Sequence, residues 1–118
     1  MASGDILLRT GSMMVVRLLD AVAATSTNNG VWIDCEDYMV GSVVTTGATG
    51  AAVTDVRAFN DAGLAAPSNA TAGVAIATAG AATDIQVQIT ALPRWLKASI
   101  PTLGTGTVTS IAVLRRGF

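Results

Sequence analysis

Histidine is absent from this chain, which removes the commonest general base and the commonest metal ligand. A single cysteine, Cys35, excludes an intrachain disulfide and cannot build a zinc site. Its acidic neighbours Glu36 and Asp37 disfavour a thiolate, so a buried structural thiol is expected. Lysine occurs once, at Lys97, the arginines are scattered, and the net charge is −1. Nucleic-acid binding would need clustered basic side chains, and none is expected. The lone lysine follows Leu96, so there is no phosphate-binding loop. Gly104-Thr105-Gly106 lacks the third glycine of a dinucleotide loop and reads as a hairpin turn. No serine sits in a nucleophile elbow. The expectation from these absences is a protein without catalytic activity and without a cofactor.

Charge and aromatic rings are scarce as well. Charged residues make up 13% of the chain, against roughly 25% in an average soluble domain. Hydrophobic residues are 51% but aromatic ones only 4%, so the apolar mass is Ala, Val, Leu and Ile mixed with Thr and Gly. Seven basic and eight acidic side chains must serve the whole surface of 118 residues, a length that suits one domain. Charge depletion is what the cores of protein–protein interfaces show. One reading is a surface covered by neighbouring proteins, and the plainer one is a small-residue β protein. No membrane segment is expected. The uncharged residues 62–83 carry Pro67, Ser68 and Asn69 and lack Leu and Phe density, while the apolar residues 13–19 are broken by Arg17 and make a poor signal peptide.

The hydrophobic patterning predicts an all-β chain. Ile85, Val87 and Ile89 alternate with Gln86, Gln88 and Thr90, and Leu96, Ala98 and Ile100 alternate with Lys97 and Ser99, which are expected to face out. Residues 31–35, 38–46, 52–59, 70–77 and 107–114 read as further strands. Residues 13–24 fit a helix or a strand, and Val15-Val16 tilt them to strand. Asn29-Gly30 signals a hairpin, Asn60-Asp61-Ala62-Gly63 a turn, and Pro93 and Pro101 bracket a strand. About seven to eight short strands at intervals of about ten residues argue for a single-domain antiparallel β-sandwich of jelly-roll-like type. It spans residues 13–118, and residues 1–12 are expected to extend from it as an N-terminal arm around Ile6-Leu7-Leu8.

Few residues offer chemistry. Asp34, Glu36 and Asp37 are the one acidic cluster, readable as a calcium site or as a strand end blunted by charge. The second is favoured, because nothing follows calcium-loop spacing. Asn69-Ala70-Thr71 fits a glycosylation sequon. Trp32 and Trp95 suit a sugar platform or packing. Trp95, beside Pro93 and Arg94, is expected to seal a sandwich edge with cation–π help from an arginine.

Several stretches carry a resemblance. Val56-Arg57-Ala58-Phe59-Asn60-Asp61-Ala62-Gly63 resembles a strand followed by a polar turn, and Ile89-Thr90-Ala91-Leu92-Pro93-Arg94-Trp95-Leu96-Lys97-Ala98 resembles a Leu-Pro-Arg-aromatic strand. Both are features of small virion structural proteins of tailed bacteriophages. Residues 18–25 and 104–114 are similar to the opening strands and last hairpin of those proteins, while residues 1–12 and 62–83 depart from the pattern. The resemblance implies a head decoration or cement protein located in the virion. Its partners would be the major capsid protein or other virion proteins, and it would form a homo-oligomer, with a trimer favoured. The alternatives are a tail, neck or fibre subunit and a carbohydrate-binding attachment module. The residues expected to make contact are Ile6, Leu7 and Leu8, adding a strand to a neighbour's sheet edge, and Arg94 with Trp95.

Overall fold

The computed structural model describes residues 3–26, 30–60, 67–68 and 73–116, and within them every regular element is a β-strand. In chain order they are β1 (Ile6–Arg9), β2 (Met13–Ala23), β3 (Ile33–Asp34), β4 (Val40–Thr49), β5 (Val53–Phe59), β6 (Val74–Thr78), β7 (Ile85–Ile89), β8 (Trp95–Thr102) and β9 (Thr105–Arg115). They form two sheets with every pairing antiparallel: a five-stranded one, β1-β2-β9-β4-β7, and a four-stranded one, β3-β8-β5-β6.

The strand order describes a rolled ribbon. β5 pairs with β6, β4 with β7, β3 with β8 and β2 with β9, so one long antiparallel ribbon is wrapped until alternate pairs fall in opposite sheets. This is the jelly roll, with β1 added at one edge. The core lies between the sheets. Val16, Leu18, Val43, Val108, Ala112 and Leu114 face it from one side and Val56, Leu96, Ala98 and Ile100 from the other. Thr45 and Ser110, directly opposite in register, satisfy each other there through a 2.8 Å hydroxyl hydrogen bond.

Three expectations need correction. Residues 6–9 are not a free arm: Ile6 to Arg9 pair with β2, Gly4 N–H donates to the Arg17 carbonyl at 2.6 Å, and Thr10 forms the turn between the strands, its Oγ1 accepting from Met13 N–H at 3.1 Å. Gly30 does not belong to a hairpin, because β2 and β3 lie in different sheets. Gly104 is likewise a corner where the chain changes sheets, since β8 pairs with β3 and β5 while β9 pairs with β2 and β4. A Cβ on Gly104 would sit 2.1 Å from the Ala52 amide nitrogen, so the corner needs glycine. Asn29, Asp61–Gly63 of the polar turn, residues 70–72 and the Asn69-Ala70-Thr71 sequon lie outside the described residues.

Residues 13–23 are strand and not helix, but their alternation is interrupted twice. Register shifts fall between Arg17 and Leu19 and between Leu19 and Val22. The first lets Leu18 and Leu19 both bury. In the second, Ala21 takes φ +48°, a left-handed conformation uncommon for a residue with a Cβ, while Arg17 and Asp20 pair across the irregularity.

Candidate functional site

The predicted contact residues fall in two places. Ile6 and Leu8 are exposed on edge strand β1 and Leu7 is half-buried there. Arg94 and Trp95 sit at the start of β8, at the other sheet's junction with β3. Arg94 donates through Nε and Nη2 to the two carboxylate oxygens of Asp34 at 2.8 and 3.2 Å, pairs with Glu36 at 3.4 Å, and lies 5.4 Å from the Trp95 ring centroid. Its hydrogen bond to Asp34 holds its pKa above the ordinary arginine value, with burial opposing and the charges of Asp34, Glu36 and Asp37 adding to it. Two of the three acids in the cluster are thus occupied by a cation of the same chain. Trp95 is 7% exposed, and its Nε1 has no hydrogen-bond partner among the described residues.

The main surprise lies between those residues and the second half of β8. Every residue from Trp95 to Ile100 is buried, so Lys97 and Ser99 do not face solvent. Their side of the four-stranded sheet is capped. Trp32 lies over it, with its ring centroid 6.0 Å from that of Phe59 and 4.6 Å from Lys97 Nζ, and its Nε1 donates to the Ser68 carbonyl at 2.9 Å. Gly73 makes room for the indole. A Cβ there would come within 2.7 Å of both Trp32 Cη2 and the Ala58 carbonyl oxygen, and the glycine holds φ +65°.

Beneath Trp32 the registers assemble a polar cluster. Ser99 is opposite Asp55, and Lys97 is opposite Arg57. The Asp55 carboxylate accepts from the Ser99 hydroxyl and from Arg57 Nε at 2.7 Å. Lys97, 2% exposed, has its pKa lowered by burial first and by the Arg57 charge next, with Asp55 opposing. Chemically this is a clamp: one carboxylate ties two strands together beneath an aromatic lid. Sequence patterning missed it because strict alternation assigns Lys97 and Ser99 to solvent. The available signal was Asp55, an acid within an apolar strand whose parity matches Arg57. Cys35 is buried as expected, and burial, aided by Asp34, pushes its thiol up to about 12.

The opposite side of the molecule is an open sheet face. On the outside of the five-stranded sheet, Val15, Val113, Ser42 and Gln88 form one cross-strand row and Arg17, Ile111, Val44 and Gln86 the next. Thr46 and Thr109 stand opposite each other beyond them, and Met13, Arg115 and Val40 close the other end. Its charged residues in these rows are Arg17, paired with Asp20, and Arg115 at the rim. A depression of about 390 Å³ at the corner is lined by residues that include Val40, Ser42, Gln88, Val113 and Arg115.

Comparison with protein-family models, with characterised proteins and with solved structures finds no match.

Proposed function

We propose that this chain is a structural component of a tailed-phage virion. It is of the capsid-decorating kind and lays the outer face of its five-stranded sheet against a larger protein surface. The observation that carries this reading is the makeup of that face: Val15, Val113, Ile111 and Val44 in adjoining registers beside Thr46 and Thr109, with very little charge. Charge depletion of this kind marks the centre of protein–protein contacts. The resemblance of residues 56–63 and 89–98 supplies the virion context, and the jelly roll is an architecture that viral capsid domains use. The major capsid protein is the partner in this reading, with tail or neck proteins the second choice. A symmetric oligomer would multiply weak contacts into firm attachment. Trp32 and Trp95 are 6% and 7% exposed, so neither ring supports the sugar-binding alternative.

The test is cosedimentation with heads, and separately with tails, of the phage that encodes the chain. Wild type pellets with heads. Val44→Glu, at an exposed position of that face, leaves the melting curve close to wild type and weakens binding by at least about tenfold, since the carboxylate would be buried against the partner. Wild type remaining in the supernatant with both particles would sink the proposal.

A further inference from the structure

The two sides of the sandwich treat their sheet edges differently. On one side, β1 is flanked by Asp5 and Arg9, and β3 by the Asp34–Arg94 ion pair and Glu36. Charges of this kind prevent an edge from pairing with other strands. On the other side the edges are β7 and β6, with sequences IQVQI and VAIAT; neither strand contains a charged residue or a proline, and Asp84 precedes β7 just outside the strand. Val74 and Ile76 of β6 are 70% and 40% exposed. Val87 is only half-buried although Ile85 and Ile89 on either side of it are buried. A groove of about 320 Å³ opens between the two edges, lined by residues that include Ala58, Ile76, Val87, Ile89 and Pro93.

The sequence of β7 is a palindrome, and that identifies the occupant. We propose that β7 pairs antiparallel with β7 of a second copy of this chain, about a two-fold axis normal to the sheet and passing midway between the two copies of Val87, joining two five-stranded sheets into one continuous sheet. A two-fold contact requires a patch that is complementary to itself. In this register Val87 meets Val87 of the second copy, Ile85 meets Ile89, and Gln86 meets Gln88. Side chains of β7 that face the core stay on the core side, and both glutamines stay outside. A shift of one residue would set glutamine against the core side of the neighbour. A two-fold axis running along the strand would turn the second sandwich over and mismatch the faces in the same way. Opposed carboxamides carry a donor and an acceptor each, so Gln86 and Gln88 hydrogen-bond across the seam. The same axis brings the two β6 edges together beneath the seam and covers Val74 and Ile76, which is the hydrophobic contribution.

This interface does not depend on the virion reading. It builds dimers or even-numbered assemblies in place of the trimer that the phage resemblance implies. The outer sheet face remains free to dock elsewhere.

Charge exchange at the exposed glutamines tests it by sedimentation velocity, with circular dichroism melts to confirm folding. Wild type dimerises below about 1 mM, the weak end of measurable association. Gln86→Lys with Gln88→Lys sets like charges opposite each other twice across the seam. It weakens dimerisation by at least about tenfold, as does Gln86→Glu with Gln88→Glu. Mixing the two variants in equal amounts restores a dimer, because each lysine then faces a glutamate. A wild type that stays monomeric up to that concentration overturns the proposal. So do charged variants that keep the wild-type mass, or a mixture that fails to regain it.

Discussion

Asp55 is the residue on which the capped cluster turns. Its carboxylate accepts from Ser99 and Arg57 and also lies near the buried Lys97. Asp55→Ala would remove the carboxylate that holds Ser99 and Arg57, and leave Arg57 and Lys97 opposite each other on adjacent strands without it. Breaking a buried ionic arrangement in this way costs about 3–5 kcal/mol, and the partial exposure of Arg57 puts this case near the lower end. Chemical denaturation with an unchanged m-value is the measurement, and a loss below about 1 kcal/mol would show that the cluster is solvated in practice. Lys97 and Ser99 also show what alternation leaves open. Alternation says which face of a strand a side chain takes, and it placed both on the face away from Leu96 and Ala98, as found. It does not say what covers that face. The cover is Trp32, more than sixty residues away in the chain.

At the scale of elements, legibility followed the regularity of the pleat. Residues 85–89 were identified to the residue because their alternation is unbroken, and both sheet-facing isoleucines are buried. Residues 13–24 fit helix or strand in sequence because two register irregularities break the alternation, the first letting Leu18 and Leu19 both bury, an arrangement no simple period describes. The N-terminal segment misled for a different reason. Four residues with exposed Ile6 and Leu8 look like an arm, yet backbone pairing to β2 needs no side-chain burial. Removing residues 1–12 strips the Gly4–Arg17 and Asp5–Arg17 backbone hydrogen bonds and uncovers the β2 edge, while the β2–β9 and β4–β9 ladders stay intact. The truncated protein is therefore expected to remain folded with a lowered melting temperature, read by circular dichroism and by the dispersion of its amide NMR spectrum. Loss of the folded spectrum would make β1 an obligatory part of the sandwich.

For the whole molecule the governing fact is the rolled ribbon. Turn signals at regular spacing announced a sandwich, but they do not distinguish a hairpin from a crossing, and here only β1–β2 and β5–β6 join neighbours within one sheet. Gly104-Thr105-Gly106 reads as a hairpin turn in sequence for that reason, and Gly104 is a crossing between sheets. The cost of the arrangement is kinetic. The central pairing of the five-stranded sheet unites residues 13–23 with residues 105–115, so the loop that must close spans most of the chain. Folds dominated by such distant pairings form in about milliseconds to seconds, and refolding from urea is expected at the slow end of that range. Stopped-flow tryptophan fluorescence through Trp32 and Trp95 follows it, and a microsecond phase carrying the full amplitude would contradict this account.

The position of β9 between β2 and β4 has one more consequence, which concerns the order of synthesis. As the chain leaves the ribosome, β2 and β4 emerge early but have no ladder between them until residues 105–115 arrive. For most of translation each presents a bare edge, amid valine and leucine in β2 and amid valine and threonine in β4. The sandwich therefore closes only once residues 105–115 have left the ribosome, and until then a nascent-chain chaperone has the bare edge of the apolar strand β2 to bind.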